Sequence, residues 1–147
     1  MVSARDLAIA AASCGLTLLV ARLHGATPPH TLRGRPKATG DKAFVLAVSM
    51  TFTTQDDAKK VLDAWQSAAE YCLHNEPFLY AYEMAQSDKN PLMYTIIERY
   101  RSKEDYLGPH RASKAFHAFR PVMRELQEGG RVVVTGESYN ELGIGFT

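Results

Sequence analysis

The chain has 147 residues, a length that fits one domain with an appendage and can bury a sizeable core. Hydrophobic residues make up 46% and charged residues 22%, which are ordinary values for a globular fold. The formal net charge of +1 provides no strong basic field, so nucleic acid is not an expected partner. Two cysteines, Cys14 and Cys72, lie far apart and predict neither a disulfide framework nor a metal site.

The N-terminal segment is apolar, and residues 7–21 read LAIAAASCGLTLLVA without a charge. A bilayer core needs about 20 helical residues, whereas signal-peptide cores have about 7 to 15. We predict that residues 1–25 form an apolar helix. The first interpretation of this helix is a membrane anchor that contacts lipid through residues 7–23. A targeting segment and a helix that docks onto another protein are the alternatives. The protein would then be membrane-associated or organellar, and the basic residues that follow would keep its globular part on the cytoplasm-like side.

The rest of the chain divides into a linker and a domain. Residues 26–42 contain prolines, glycines and basic residues without an apolar period, which predicts an extended linker. Residues 43–147 form the domain. Its alternating and helical patterns predict strands at 43–52, 78–85, 92–100 and 131–139, a helix capped by Thr53 or Thr54 that runs to about 74, and a helix after the Gly108-Pro109 break that runs to about 128.

The order of these elements, βαββαβ, is the ferredoxin-like α+β pattern, with four antiparallel strands and the helices on one face. The opposite face contains apolar side chains, among them Val45, Ile97 and Val133. Apolar side chains on both faces indicate a sheet that is covered on both sides, and a second copy of the chain is the simplest way to cover the face opposite the helices. We therefore predict a homodimer.

Residues 44–139 resemble the antibiotic biosynthesis monooxygenase (ABM) domain, a dimeric α+β barrel. The resemblance rests on four short motifs in this sequence: Glu76-Pro77, Tyr82-Glu83, Glu98-Arg-Tyr100-Arg-Ser102 and His110-x-x-Ser113-x-x-Phe116. It implies relatives among cofactor-free quinone-forming monooxygenases, quinol oxidases, haem-degrading enzymes and an isomerase. Haem degradation is disfavoured, because the first strand has no Asn and because His110 and Arg120 stand where that branch has its Trp and its haem ligand. The resemblance thus implies no cofactor and no metal.

Glu98 is the first candidate catalytic residue. If its strand face meets the helices, burial would raise the pKa of the carboxyl group and make it a proton acceptor near neutral pH. The alternative is an ion pair with one of three arginines, Arg99, Arg101 or Arg120.

His110 is the second candidate, because imidazole titrates near neutral pH and can move a proton. On a helix continuous from Pro109, His110 would lie opposite the apolar stripe and face solvent. A break in the chain, with Ser113 as the cap of a new helix, would instead turn it inward. The Gly108-Pro109 pair allows either arrangement.

A second group of residues is predicted to line a substrate pocket. Tyrosines on strands and a Trp on a helical stripe are usually core residues, so only one or two of them are expected to meet a ligand. The group consists of Tyr82, Tyr94, Tyr100, Ser49, Trp65 and Phe116.

Together these residues predict an ABM-type monooxygenase that acts on a small hydrophobic phenol or quinol without a cofactor. A base would deprotonate the substrate, and the electron-rich anion would react with oxygen in a dry pocket. One alternative is a non-catalytic ligand-binding or accessory subunit of a membrane assembly that uses the same barrel. Another is an isomerase of a small oxygenated metabolite.

Overall fold

A computed structural model describes residues 42–145 of the chain. The elements in chain order are β1 (Phe44–Phe52), α1 (Gln55–Asn75), β2 (Leu79–Gln86), β3 (Met93–Tyr100), α2 (Lys103–Asp105), a π-helical turn (Tyr106–His110), α3 (Lys114–Glu128) and β4 (Val132–Asn140). The predicted ferredoxin-like order is therefore confirmed. The predicted N-terminal helix and almost all of the predicted linker lie outside the described residues. Within residues 42–145, no helix combines the length and the apolar character that a bilayer crossing requires.

The four strands form one antiparallel sheet in the order β2-β3-β1-β4. Side chains alternate across it, so that Met50, Tyr94 and Ile96 are buried on the face that packs against α1 and α3. Val133 and Tyr139 lie on the other face and are 66% and 53% exposed. Within residues 42–145 the helices cover one side of the sheet, and the homodimer remains a prediction.

A register shift between Leu79 and Ala81 changes which side chains of β2 face the helices. Leu79 lies opposite Tyr100, and Tyr82 lies opposite Glu98, although strict alternation would put Leu79 and Tyr82 on different faces. The extra residue of the bulge brings both side chains to the helix side. Tyr82 thereby lies next to the buried carboxyl group of β3.

The segment before α3 turns His110 inward. Pro109 has no N–H group with which to continue an α-helix, and the backbone N–H of Arg111 bonds to the C=O of Tyr106, five residues earlier, at 3.2 Å. Ser113 then caps α3, where its hydroxyl accepts a hydrogen bond from the N–H of Phe116 at 3.2 Å. The chain thus breaks between His110 and Ser113, as the inward arrangement requires.

Candidate functional site

The His110 side chain is 2% exposed and lies among aromatic rings. The chain reaches this position through the π-helical turn and leaves it through the cap of α3, so both flanking segments hold the imidazole in the interior. Four rings have their centroids 5.1–6.0 Å from that of the imidazole: Tyr100, Phe116, Tyr82 and Tyr106. This environment excludes most of the water around the imidazole.

Glu76 is the hydrogen-bond partner of the imidazole. It follows the last residue of α1, and its Oε2 lies 2.7 Å from Nδ1 of His110, with both side chains at most 3% exposed. A carboxylate at Nδ1 favours the tautomer whose proton is on Nδ1, which leaves the lone pair of Nε2 available as a base. Histidine and carboxylate thus form a dyad of the kind that orients general bases.

Cys72 extends this dyad along α1. Its thiol is 1% exposed and lies within 4.8 Å of a carboxylate oxygen of Glu76, four residues further along the chain. Burial, and then the negative charge of Glu76, raise the pKa of the Cys72 thiol well above its ordinary value. The thiol therefore stays protonated near neutral pH, next to the carboxylate.

Glu98 is 8% exposed and faces the helices, as the catalytic interpretation requires. Its Oε2 accepts a hydrogen bond from the Tyr100 hydroxyl at 2.7 Å. Burial raises the pKa of Glu98 above the ordinary value of a carboxyl group, and the charge of Glu76 adds to the rise. The hydrogen bond from Tyr100 and the charge of His110 oppose it only in part.

The alternative for Glu98 was an ion pair with an arginine, and within residues 42–145 the side chain that hydrogen bonds to Glu98 is Tyr100. Each of the three arginines bonds elsewhere: Arg99 to Glu141, Arg101 to Asp105 and Arg120 to Gln127. The partner of Glu98 is the neutral hydroxyl of Tyr100, which lowers the pKa of the carboxyl group less than burial raises it.

Tyr82 connects the predicted pocket residues to this cluster. Its ring stacks on that of Trp65 with centroids 3.9 Å apart, and it contacts His110 edge to face. Burial, and then the charge of Glu98, raise the pKa of the Tyr82 phenol well above its ordinary value. Tyr82 therefore remains a neutral hydroxyl near pH 7.

Two predicted pocket residues lie apart from the cluster. Tyr94 packs its ring against Phe52 at 5.7 Å, and its hydroxyl accepts a hydrogen bond from Gln86 at 2.9 Å. Ser49 pairs with Thr95 and alternates with the buried Met50, so it lies on the face of the sheet away from the helices. The structure brings together His110, Glu98, Tyr82, Tyr100, Trp65 and Phe116, and it leaves Tyr94 and Ser49 outside.

Three members of the cluster, Cys72, Glu76 and Tyr106, have roles that were not predicted from the sequence. The spacing of Cys72 and Glu76 contains a usable signal, because residues four apart at the end of a helix lie on the same face. Tyr106 gives no comparable signal, since its contacts with Tyr100 and His110 depend on the π-helical turn.

The structure defines a class of protein: a ferredoxin-like α+β domain with a buried imidazole, carboxyl groups and phenols between sheet and helices. Residues 43–122 match the family model for antibiotic biosynthesis monooxygenase. This match spans more than half of the chain, and the chain belongs to that family. Membership supports a monooxygenase-like role, in the oxidoreductase class. No curated protein matches the chain.

Solved structures share the fold at low sequence identity. A protein from Nitrosomonas europaea, assigned provisionally to the antibiotic biosynthesis monooxygenases, is 18% identical with a TM-score of 0.56, over 67% of this chain and 98% of its own. A protein from Deinococcus radiodurans with the same provisional assignment is 14% identical with a TM-score of 0.53, over 70% of this chain and 96% of its own. A conserved protein of unknown function from Bacteroides thetaiotaomicron is 18% identical with a TM-score of 0.54, over 68% of this chain and 98% of its own.

Proposed function

We propose that this protein is a cofactor-independent monooxygenase that acts on a small hydrophobic phenol or quinol, with His110 as the base. The observation that supports this most directly is the buried hydrogen bond between Nδ1 of His110 and Glu76. A base in an enzyme needs a fixed orientation and a partner that stabilises its protonated form, and the Glu76 carboxylate offers both. Glu98 and the phenols around the imidazole supply the second set of polar groups.

The proposed reaction proceeds in two stages. His110 Nε2 accepts the proton of the substrate hydroxyl, and the imidazolium that forms is stabilised by Glu76. The substrate anion gives electrons to O2, so that one oxygen atom joins a ring carbon. The other oxygen atom leaves as water with the hydrogen of that carbon and the hydroxyl proton. The product is a quinone, and one O2 is consumed for each molecule formed.

Two observations favour this proposal over a non-catalytic subunit with the same barrel. A binding protein without turnover would be compatible with a solvent-facing His110 and with Glu98 neutralised by an arginine. In the structure His110 is buried, and Glu98 accepts a hydrogen bond from Tyr100. An isomerase of a small oxygenated metabolite would be favoured by cationic groups inside the pocket. Among residues 42–145, the side chain bonded to His110 is the Glu76 carboxylate and aromatic rings surround the imidazole, while Arg111 lies over the Phe116 ring.

The proposal is tested by oxygen uptake of the purified full-length protein with a panel of phenols and quinols. We expect His110→Ala to lower kcat by about 100-fold or more, the usual contribution of a general base. Glu98→Gln is expected to lower kcat less than His110→Ala does, since Glu98 is not the proposed base.

The matched control is His117→Ala, which removes an exposed imidazole from the next helix. We expect it to retain the wild-type rate. Near-ultraviolet circular dichroism checks that each variant is folded. Equal rates in the wild type, His110→Ala and Glu98→Gln would remove both residues from the mechanism. Binding of a quinol without oxygen uptake would support the accessory role instead.

A further inference from the structure

Three side chains of metal-binding types meet at the C-terminal end of α1. The thiol of Cys72, a carboxylate oxygen of Glu76 and a ring nitrogen of His110 all lie within 4.8 Å of one another, and all three residues are buried. Cys72 and Glu76 are four residues apart and share one face of the helix. The π-helical turn brings His110 to the same place from a distant part of the sequence.

We propose that Cys72, Glu76 and His110 form a binding site for Zn²⁺, with the thiolate, one carboxylate oxygen and Nδ1 as ligands. Sulfur, nitrogen and oxygen donors of this kind are those that zinc takes in proteins, and three protein ligands leave a fourth position open. Zinc bonds of about 2.0–2.3 Å place neighbouring ligand atoms roughly 3.5 Å apart. Nδ1 of His110 and Oε2 of Glu76 are 2.7 Å apart and would have to separate slightly, whereas the Cys72 thiol, within 4.8 Å of both ligands, can approach them by side-chain rotation.

Charge balance supports a cation at this position. One thiolate and one carboxylate neutralise Zn²⁺, and a neutral site is the form that suits a buried environment. Glu98 adds a second carboxyl group within electrostatic reach of Cys72 and His110. Among residues 42–145, the side chain that hydrogen bonds to Glu98 is the neutral Tyr100.

Metal binding changes the protons of the cluster in a defined way. The Cys72 thiol releases its proton to solvent, and the single proton of the neutral imidazole moves to Nε2. In the zinc-bound protein, Nδ1 of His110 binds the metal and Nε2 carries the proton. Neither nitrogen of the imidazole can then accept a proton as a base. The site is inferred from ligand geometry and stands whether or not the protein oxidises phenols.

The test uses Co²⁺ as a spectroscopic probe of the chelator-treated, reduced full-length protein. We expect a near-ultraviolet absorption from charge transfer between thiolate and metal, which saturates at about one equivalent per chain. Cys72→Ala is expected to abolish this absorption. The matched control is Cys14→Ala, which removes the other cysteine and is expected to leave the absorption unchanged.

Thermal unfolding gives a second readout that does not depend on activity. We expect Zn²⁺ to raise the unfolding temperature of the wild type and of Cys14→Ala, but not that of Cys72→Ala. Mg²⁺, which prefers oxygen ligands, is expected to have no effect. If Cys72→Ala does not fold, Glu76→Gln takes its place, with an expected loss of about tenfold or more in Co²⁺ affinity.

Charge-transfer absorption that persists in Cys72→Ala would overturn the inference. So would a wild-type protein that binds no Co²⁺, because the three residues would then be packed together without forming a metal site. Oxygen uptake by a protein that binds no metal would leave the proposed function intact. Metal binding without oxygen uptake would leave the zinc site intact.

Discussion

The buried carboxyl group of Glu98 makes the stability of the protein dependent on pH. Burial raises its pKa in the folded state, so the folded protein holds this proton more tightly than the unfolded chain does. The stability that Glu98 contributes is therefore fully present below the ordinary carboxyl pKa. It is lost as the pH rises through the raised value of the folded state.

Glu98→Gln removes this titration while it keeps the size of the side chain and an acceptor for the Tyr100 hydroxyl. As the pH rises above the ordinary carboxyl pKa of about 4 and through the raised pKa of the folded state, we expect the free energy of unfolding of the wild type to fall relative to that of the variant. The expected change is about 1.4 kcal/mol for each unit by which the folded pKa is raised. Urea unfolding at a series of pH values measures the difference.

Glu83→Gln, at an exposed position of β2, is the control for this measurement. Its stability relative to the wild type is expected to vary little over the same pH range. A difference between the wild type and Glu98→Gln that stayed constant with pH would contradict a raised carboxyl pKa.

The inward position of Glu98 could be predicted because side chains alternate along a strand and its neighbours on that face are apolar. The environment of His110 could be stated only as two alternatives, since Gly108-Pro109 is compatible with both. The contact between His110 and Glu76 could not be predicted at all. It joins residues 34 positions apart, and neither strand alternation nor helical spacing relates them.

At the scale of elements, the cap of α3 links local stability to the orientation of His110. Ser113→Ala removes the hydroxyl that accepts the N–H of Phe116, and we expect a loss of about 1 kcal/mol in the free energy of unfolding. Ser67→Ala, in the exposed interior of α1, is the matched control, and we expect it to be nearly neutral. Chemical denaturation measures both. A Ser113→Ala protein as stable as the wild type would exclude a capping role.

The elements themselves could be predicted to within one or two residues, because caps and hydrophobic periods determine them locally. Thr54, one of the two predicted alternatives, caps α1, and Ser113 caps α3 as the inward arrangement of His110 requires. The bulge in β2 could not be predicted, since the sequence there alternates regularly and nothing in it indicates an extra residue between Leu79 and Ala81. It is this bulge that brings Tyr82 to the helix side of the sheet.

At the scale of the whole molecule, the uncovered face of the sheet predicts a homodimer. Val133→Arg places a charge at a residue that is 66% exposed in the single chain, and burial of that charge between two copies would be costly. We expect the wild type to elute as a dimer and Val133→Arg as a monomer, as measured by size-exclusion chromatography with light scattering. Gln66→Arg, at an exposed position of α1, is the control and should remain dimeric. A monomeric wild type would contradict the prediction.

The apolar N-terminal segment predicts where the domain is found in the cell. We propose that residues 7–23 attach the protein to a membrane, which would suit a lipid-soluble quinol. The full-length chain is then expected in the membrane fraction, and a chain without residues 1–25 in the soluble fraction. Immunoblots of separated fractions measure the distribution. Equal recovery of both forms in the soluble fraction would rule out an anchor.

The π-helical turn before His110 has a genetic consequence. Each residue of an α-helix rotates the chain by about 100°, and the wide turn contains one residue more than an α-helical turn would. Loss of a single codon between Tyr106 and Pro109 would therefore swing the imidazole from the interior towards solvent without replacing the histidine. Gain or loss of this one residue is a short mutational path between a buried and a solvent-facing imidazole on the same scaffold.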